Sequence, residues 1–200
     1  WKKIIKNDLS VRKVEELARS QSKNEKPKKT VPNTRDYYLE DIELDHYRKG
    51  SINRFSLAHH VVPLSKETEI NERSIGILGV YDDRIEDNEG SKNAPDIIRK
   101  YLYKLYSRPG FPQVIDFGNV IKGNVLKDTE MALSFVLDEM LSKNIYPIVI
   151  GPKYFAHILF KAINKYHNNI HIASIEPTLS LEITQKNEHS YLEKIILNKQ

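Results

Sequence analysis

The sequence predicts an α/β fold of three layers, in which helices cover both faces of a parallel sheet. Short apolar runs typical of buried strands recur along the chain, and segments with apolar residues at helical spacing lie between them. This alternation favours a parallel sheet, because right-handed crossovers bring the connecting helices onto its faces. The predicted strands are residues 74–81, 114–118, 145–150 and 170–175.

Three amphipathic segments are predicted as the connecting helices, and a fourth follows the last strand at residues 190–196. Asn93-Ala94-Pro95 opens the first helix, since proline in the first turn needs no N–H partner. Asp128 or Thr129 is the predicted cap of the second. The stripes expected to face the sheet are Ile98, Tyr101, Leu102 and Leu105, then Leu133, Val136, Leu137, Met140 and Leu141, then Phe155, Ile158, Leu159, Ala162 and Ile163.

Composition indicates a globular protein of 200 residues, with 40% apolar and 29% charged residues. No apolar run approaches the ~20 residues that cross a bilayer, and no signal peptide is visible at the start. The absence of cysteine excludes disulfides, thiolate metal sites and cysteine nucleophiles, and it fits a cytoplasmic protein. We therefore predict a soluble, cytoplasmic protein with no membrane partner.

Charge divides the chain into a basic amino-terminal part and a mildly acidic remainder. Residues 1–35 hold eleven Lys or Arg and four Asp or Glu, which gives +7, and residues 36–200 hold the other twenty basic and twenty-three acidic residues, which gives −3. We predict a basic amphipathic helical segment at 1–20, a linker at 21–34 and the α/β domain at 35–200. A basic arm can bind nucleic acid, although such charge runs are also ordinary solvated tails.

One short string supports the nucleic-acid hypothesis. Residues 9–17, Leu-Ser-Val-Arg-Lys-Val-Glu-Glu-Leu, resemble the end of the helix-turn-helix region of ParB-type chromosome-partitioning proteins. The resemblance implies a DNA-associated amino terminus, but it covers a small part of the fold that reads a DNA groove. A short helix capped by Ser10 is the alternative interpretation.

Two polar groups elsewhere in the chain contain residue types that can bind metal ions. His59 and His60 are adjacent, so on a strand they point to opposite faces, and structural or surface histidines are the favoured interpretation. The acidic loop at residues 82–87 lacks the glycine-centred spacing of a calcium loop, so a solvated loop is favoured there. The apolar side chains expected to cover an edge of the domain are Tyr37, Tyr38, Leu39, Ile42, Leu44 and Tyr47.

An ordered set of motifs from Ser74 onward carries a family resemblance. The motifs are Ile77-Leu78-Gly79-Val80, Asn88-Glu89-Gly90, Ala94-Pro95-Asp96-Ile97-Ile98-Arg99, Asp116-Phe117-Gly118-Asn119, Pro147-Ile148-Val149-Ile150-Gly151 and Ser174-Ile175-Glu176. In this order they resemble the ureohydrolase superfamily of arginases, agmatinases and formimidoylglutamases, and within it the divergent arginase-like proteins of Bacteroidetes. The resemblance implies an arginase-like sheet over residues 70–200 that holds only the front half of the family's fold. Together with Trp1 as first residue, it predicts a truncated chain.

Members of that superfamily hydrolyse guanidine or amidine carbons with a hydroxide that bridges two manganese ions. The resemblance implies a histidine ligand where this chain has Tyr154, after Gly151-Pro152-Lys153. It implies Asp, His and Asp ligands where this chain has Glu176, Thr178 and Ser180. Hydroxyl groups hold manganese poorly compared with carboxylates and imidazole, so we expect no metal site and no cofactor.

We therefore predict a degenerate ureohydrolase-like protein, inactive as an enzyme, with a ligand-binding or protein-interaction role and a homo-oligomeric or other protein partner. One alternative is an active metal-dependent hydrolase of amidine or guanidine C–N bonds, of the arginase or formimidoylglutamase type. Another is a nucleic-acid-associated protein that acts through its basic amino terminus. A cluster of Lys153, Tyr154 and Glu176 for acid–base chemistry or anion binding is a further hypothesis, beside that of a polar surface turn.

Overall fold

The strands form one sheet in the computed structural model, which describes residues 37–49, 53–84, 90–175 and 191–197. They are β1 (Leu39–Glu40), β2 (Val61–Pro63), β3 (Ile75–Val80), β4 (Val114–Val120) and β5 (Tyr146–Ile150). Their order is β1-β4-β3-β5, with β2 also beside β4. Strands β2 to β5 run parallel, whereas β1 is antiparallel to β4. The predicted helix at 1–20 and linker at 21–34 lie outside the described residues.

Helices lie on both faces of this sheet. They are α1 (Leu44–Lys49), α2 (Ala94–Leu102), α3 (Leu126–Ser142), α4 (Ala156–Tyr166) and α5 (Tyr191–Leu197). Successive residues of β3 separate the two layers, because neighbours on a strand point to opposite faces. Leu78 faces the core that contains α3 and α4, whereas Ile77 faces Leu44 of α1 and Tyr103 just after α2. The predicted three-layer α/β fold is confirmed.

The stripes predicted for α3 and α4 are confirmed. They supply most of the larger core, with Leu133, Val136, Leu137, Met140, Phe155 and Ala162 almost fully buried. The N-cap of α3 is Val125 and not the predicted Asp128 or Thr129, but Asp128 in the first turn accepts the Val125 N–H through its carboxylate at 3.0 Å. None of the helices in the described ranges is long and apolar enough to span a bilayer.

The stripe predicted for α2 is wrong. Ile98, Tyr101 and Leu105 are exposed by 44%, 64% and 58%, whereas Arg99 is fully buried. The reason is an ion pair that apolar spacing does not reveal: Arg99 Nε and Nη2 donate to the Asp116 carboxylate of β4 at 2.8 and 3.0 Å. This two-point pairing turns the polar side of α2 towards the sheet.

Residues 170–175 do not form the predicted fourth strand. Ile175 is completely exposed, and no residue of this segment pairs with another strand in the described part of the chain. Ile170 instead packs against Phe160 of α4 and Tyr191 of α5. Ile170 therefore packs on helices, and residues 170–175 do not extend the sheet of the described residues.

The β4 side of the sheet is covered by two short strands. Strand β2 pairs with the first half of β4, and Leu39 of β1 pairs with Val120 at its end. Leu44 follows on α1 and is buried. The predicted covering of this edge by the segment from Tyr37 to Tyr47 is therefore confirmed.

The β5 side is open among the described residues. Tyr146 and Ile148 of β5 are exposed by 57% and 43%. The Tyr146 N–H donates to the Ser74 carbonyl at 2.8 Å, so this residue bonds inwards, towards β3. The backbone N–H and C=O groups of successive strand residues point to opposite edges, so the backbone of Pro147 faces the open edge.

Candidate functional site

The carboxyl end of β5 leads into α4 through Gly151-Pro152 and a 3₁₀ turn at Lys153–Phe155. A Cβ at Gly151 would lie 3.0 Å from Val80 Cβ and 3.1 Å from the Val80 carbonyl oxygen, so glycine permits the close approach. The turn is thereby held against the end of β3. It places Tyr154 at the carboxyl edge of the sheet, where open parallel sheets carry their ligands.

Tyr154 is buried at the meeting point of three helices. Its hydroxyl donates to Glu130 Oε1 of α3 at 2.5 Å and accepts from Lys194 Nζ of α5 at 2.7 Å. The same ammonium lies 4.1 Å from the centroid of the Tyr154 ring, within the range of a cation–π contact. The phenol is therefore engaged both through its oxygen and through its ring.

His157 stands one helical turn after Tyr154 and is 3% exposed. Its Nδ1 lies 2.6 Å from the Tyr154 carbonyl oxygen, which assigns the ring proton to Nδ1, and its Nε2 lies 3.8 Å from Glu130 Oε1. Burial lowers the pKa of His157, and the charge of Lys194 acts in the same direction. The imidazole is thus neutral at pH 7, with the Nε2 lone pair turned towards Glu130.

The structure describes two of the residues that the sequence predicts as a site. Tyr154 is buried in the cluster just described, whereas Lys153 before it is exposed. Glu176, Thr178 and Ser180 lie outside the described residues. The hypothesis of a joint cluster of Lys153, Tyr154 and Glu176 therefore stays a prediction.

Sequence reasoning missed Glu130, His157 and Lys194. The spacing Tyr154-x-x-His157 at the start of a predicted helix places both residues on one face, and it was the available signal for His157. Glu130 and Lys194 are 24 and 40 residues away from Tyr154 in the chain. Nothing local in the sequence points from either of them to the tyrosine.

The acidic loop after β3 differs from its prediction at its first residue. Asp82 is buried, and its carboxylate accepts from Arg84 Nε at 2.8 Å and from the Thr129 hydroxyl of α3 at 2.9 Å. Burial raises the pKa of Asp82, but these hydrogen bonds outweigh it and hold the pKa below its ordinary value. Asp82 therefore links the end of β3 to α3 through its hydrogen bond with Thr129. Residues 85–89 lie outside the described part of the chain.

The adjacent histidines match the favoured interpretation. His59 and His60 are both exposed at the end of a 3₁₀ turn, Leu57–His59. No group of three or more His, Cys, Asp or Glu side chains suited to a metal ion occurs among the described residues. In that part of the chain the pair consists of surface histidines.

Solved structures share the fold of this chain, among them a formimidoylglutamase and a hypothetical agmatinase. Formimidoylglutamase from Bacillus subtilis subsp. subtilis str. 168 matches with a TM-score of 0.61 and 13% identity, over 72% of this chain and 48% of that chain. A hypothetical agmatinase from Burkholderia thailandensis matches with a TM-score of 0.54 and 17% identity, over 64% and 45%. The fold is arginase-like. This chain spans about half the length of either protein.

The arginase-like likeness concerns the fold. At 13% and 17% identity it confirms the predicted resemblance to the ureohydrolase superfamily at that level, including the partial coverage. No protein-family model and no curated protein sequence matches the chain. The chemistry of the site has to be judged from its own residues.

The described residues around Tyr154 do not fit a pair of manganese ions. Glu130 and His157 are suitable ligand types, but the neutral hydroxyl of Tyr154 is a poor one. The Lys194 ammonium, 2.7 Å from that hydroxyl, is a positive charge where a cation would have to bind. The place instead combines a phenol, an imidazole, a carboxylate and an ammonium, and the phenol bonds to both charged groups.

Proposed function

We propose that this is a degenerate ureohydrolase-like protein that has lost dimanganese chemistry and acts by binding a ligand or a protein partner. The observation that supports the proposal most is the contact between Lys194 Nζ and the Tyr154 hydroxyl. By the resemblance given above, Tyr154 stands where a histidine ligand would be. The proposal includes a cytoplasmic location, in keeping with the absence of cysteine.

Electrostatics support the loss of the metal. Two unit charges of like sign about 4 Å apart repel by roughly 4 kcal/mol at an effective dielectric constant near 20, and a divalent ion doubles this. Lys194 is half-buried, so solvent screens part of that repulsion. The remainder acts against any cation beside Tyr154, and the single carboxylate of Glu130 is already bonded to the phenol.

Exposed apolar side chains support the protein-interaction part of the proposal. Tyr146 and Ile148 on β5 are exposed, as is Tyr101 on α2, and α2 contacts β5. Apolar surface of this kind, where it is contiguous, marks contacts with other proteins. A second copy of the chain or another protein is the proposed partner.

The first test is the manganese content of the full chain after incubation with Mn²⁺ and dialysis, measured by elemental analysis. We expect no retained manganese, because the ammonium of Lys194 opposes it. A useful pair of variants is Tyr154→His, which restores an imidazole, and Tyr101→His, which places one on an exposed helix position. We expect the Tyr101→His chain to retain no more manganese than the unchanged protein.

Retention of about two ions per chain would contradict the proposal, since two-metal hydrolysis needs that stoichiometry. Manganese-dependent release of urea or formamide from a guanidino or formimidoyl substrate would then favour the hydrolase alternative. Salt-dependent DNA binding that disappears on removal of residues 1–30 would favour the nucleic-acid alternative instead.

A further inference from the structure

A cavity of about 470 Å³ lies at the carboxyl ends of β3 and β4, beside α1 and α2. Its volume is within the range of about 300–1,000 Å³ that is usual for small-molecule sites. The walls come from the segment between β1 and α1, from Tyr81 directly after β3, and from Asp96 on α2. None of the residues around Tyr154 contributes to it.

Carboxylates dominate the charge of this cavity. Glu40, Asp41, Glu43 and Asp96 line it, against the ammonium of Lys100 and the imidazole of His46. A concave surface with one sign of charge concentrates ligands of the opposite sign. The electrostatics therefore favour a cation.

Asp96 lies beside two phenols. Its Oδ1 accepts from the Tyr47 hydroxyl at 3.2 Å, and its carboxylate adds to the rise that burial causes in the pKa of Tyr81. Burial raises the pKa of Tyr47 to about 12, and the charge of Asp96 adds to the rise. Both phenols consequently remain protonated donors, and the carboxylate is fixed with acceptor capacity to spare.

Asn119 provides a second, independent indication of a ligand. The residue is 3% exposed, lines the cavity, and accepts from Arg99 Nη1 through Oδ1 at 2.6 Å. Because a guanidinium only donates, this bond fixes which side of the amide is oxygen. The Asn119 Nδ2 group makes no hydrogen bond within the described part of the chain, so this donor, on a side chain that lines the cavity, is available to a ligand bound there.

We propose that this cavity binds a small organic cation of the alkylammonium class that also carries a hydroxyl or carbonyl oxygen. The ammonium pairs with Asp96 and Glu43, and the oxygen accepts from Asn119 Nδ2. The side chains of Ile42 and Ile97 provide apolar contacts for the carbon chain. The inference goes beyond the proposed function, because it concerns a different place and does not depend on the loss of the metal.

The test is an NMR titration of the full chain with 3-amino-1-propanol, propylamine, 1-propanol and Mg²⁺ as separate probes. We expect saturable binding of the amino alcohol, weaker binding of propylamine, and none of 1-propanol or Mg²⁺. Losing one charge-assisted hydrogen bond weakens binding by roughly tenfold or more, so Asp96→Asn and Glu43→Gln are each expected to raise the dissociation constant by at least that factor.

Glu72→Gln is the matched control, because Glu72 is an exposed glutamate outside the cavity. Thermal unfolding of every variant checks that the fold is retained, and Glu43→Gln is the safest in this respect since Glu43 is exposed.

Three results would overturn the proposal: no saturable binding of the amino alcohol, equal affinity in the unchanged and Glu43→Gln chains, or Mg²⁺ binding that needs the same carboxylates. The last would make the cavity a divalent-cation site. Manganese retention at Tyr154 bears on the proposed function alone, so the two proposals can fail separately.

Discussion

Among single residues, Arg99 of α2 and Asp116 of β4 form a buried ion pair. Arg99 donates to Asp116 twice, to Asn119 Oδ1 at 2.6 Å and to the Gly118 carbonyl at 2.8 Å. The Tyr103 hydroxyl completes the shell around Asp116. Burial lowers the pKa of Arg99, but the charge and hydrogen bonds of Asp116 outweigh it, so the pKa is raised and the pair stays ionised.

Replacing Arg99 by methionine is expected to destabilise the protein by about 3–5 kcal/mol, because Asp116 would be left as a buried charge without its partner. The free energy of unfolding, from denaturant titration, measures this. Arg108→Met is the control, since Arg108 is exposed, and it is expected to change stability by less than about 0.5 kcal/mol. A loss for Arg99→Met no larger than that of the control would show that the ion pair contributes little.

His157 predicts a pH dependence of stability. Burial lowers its pKa in the folded chain; the Lys194 and Lys161 charges also lower it, while the Tyr154 carbonyl and Glu130 oppose this. The unfolded chain, with an imidazole pKa near 6.5, therefore binds the proton more readily. Below that pH the free energy of unfolding falls as pH falls, until the folded pKa is passed, by at most about 1.4 kcal/mol per pH unit.

The measurement is the free energy of unfolding between pH 5 and pH 7.5 for the unchanged chain, His157→Gln and His59→Gln. We expect the glutamine at position 157 to flatten the dependence and the exposed position 59 to leave it intact. An unaltered slope in His157→Gln would assign the dependence to other groups.

The contact between α2 and β3, at the scale of whole elements, depends on a glycine. A Cβ at Gly79 would lie 2.0 Å from Asn119 Oδ1 and 2.9 Å from Pro95 Cβ. The absence of a side chain thus lets the first turn of α2 lie directly on the strand, and it leaves room for Asn119 to meet Arg99.

Gly79→Ala is expected to destabilise the protein by about 1–3 kcal/mol, through overpacking between strand and helix. In a double-mutant cycle with Asn119→Ala, the combined loss should be smaller than the sum of the single losses, because the second change removes the clashing oxygen. Strictly additive losses from denaturant titration would mean that the clash is relieved by another route.

For the whole molecule, the periodicity of apolar residues predicted those strands and helix faces that are determined within one segment of sequence. The strands at β3, β4 and β5 and the stripes of α3 and α4 are each set by apolar spacing within one segment. The buried face of α2 was not predictable in this way, because Arg99 is buried by a partner 17 residues further along the chain. The isoleucines of residues 170–175 carry a strand pattern, yet Ile170 covers helices α4 and α5.

The candidate site follows the same rule. Tyr154 could be placed at a strand end from its motif, since strand, turn and helix are adjacent in the sequence. Its partners Glu130 and Lys194 come from helices that only the tertiary fold brings together. The cavity beside α1 likewise joins residues from β1 to Asn119, so no single stretch of sequence contains it.

The proline in β5 has a consequence for how this protein can associate. An unpaired apolar strand is ordinarily a template on which further strands add without limit. Pro147 removes an outward backbone donor from that template, so an incoming strand finds an interrupted ladder. The side chains of Tyr146 and Ile148 are nevertheless exposed at this edge. Among the described residues, the interrupted ladder of this edge therefore disfavours the open-ended growth of β-fibrils.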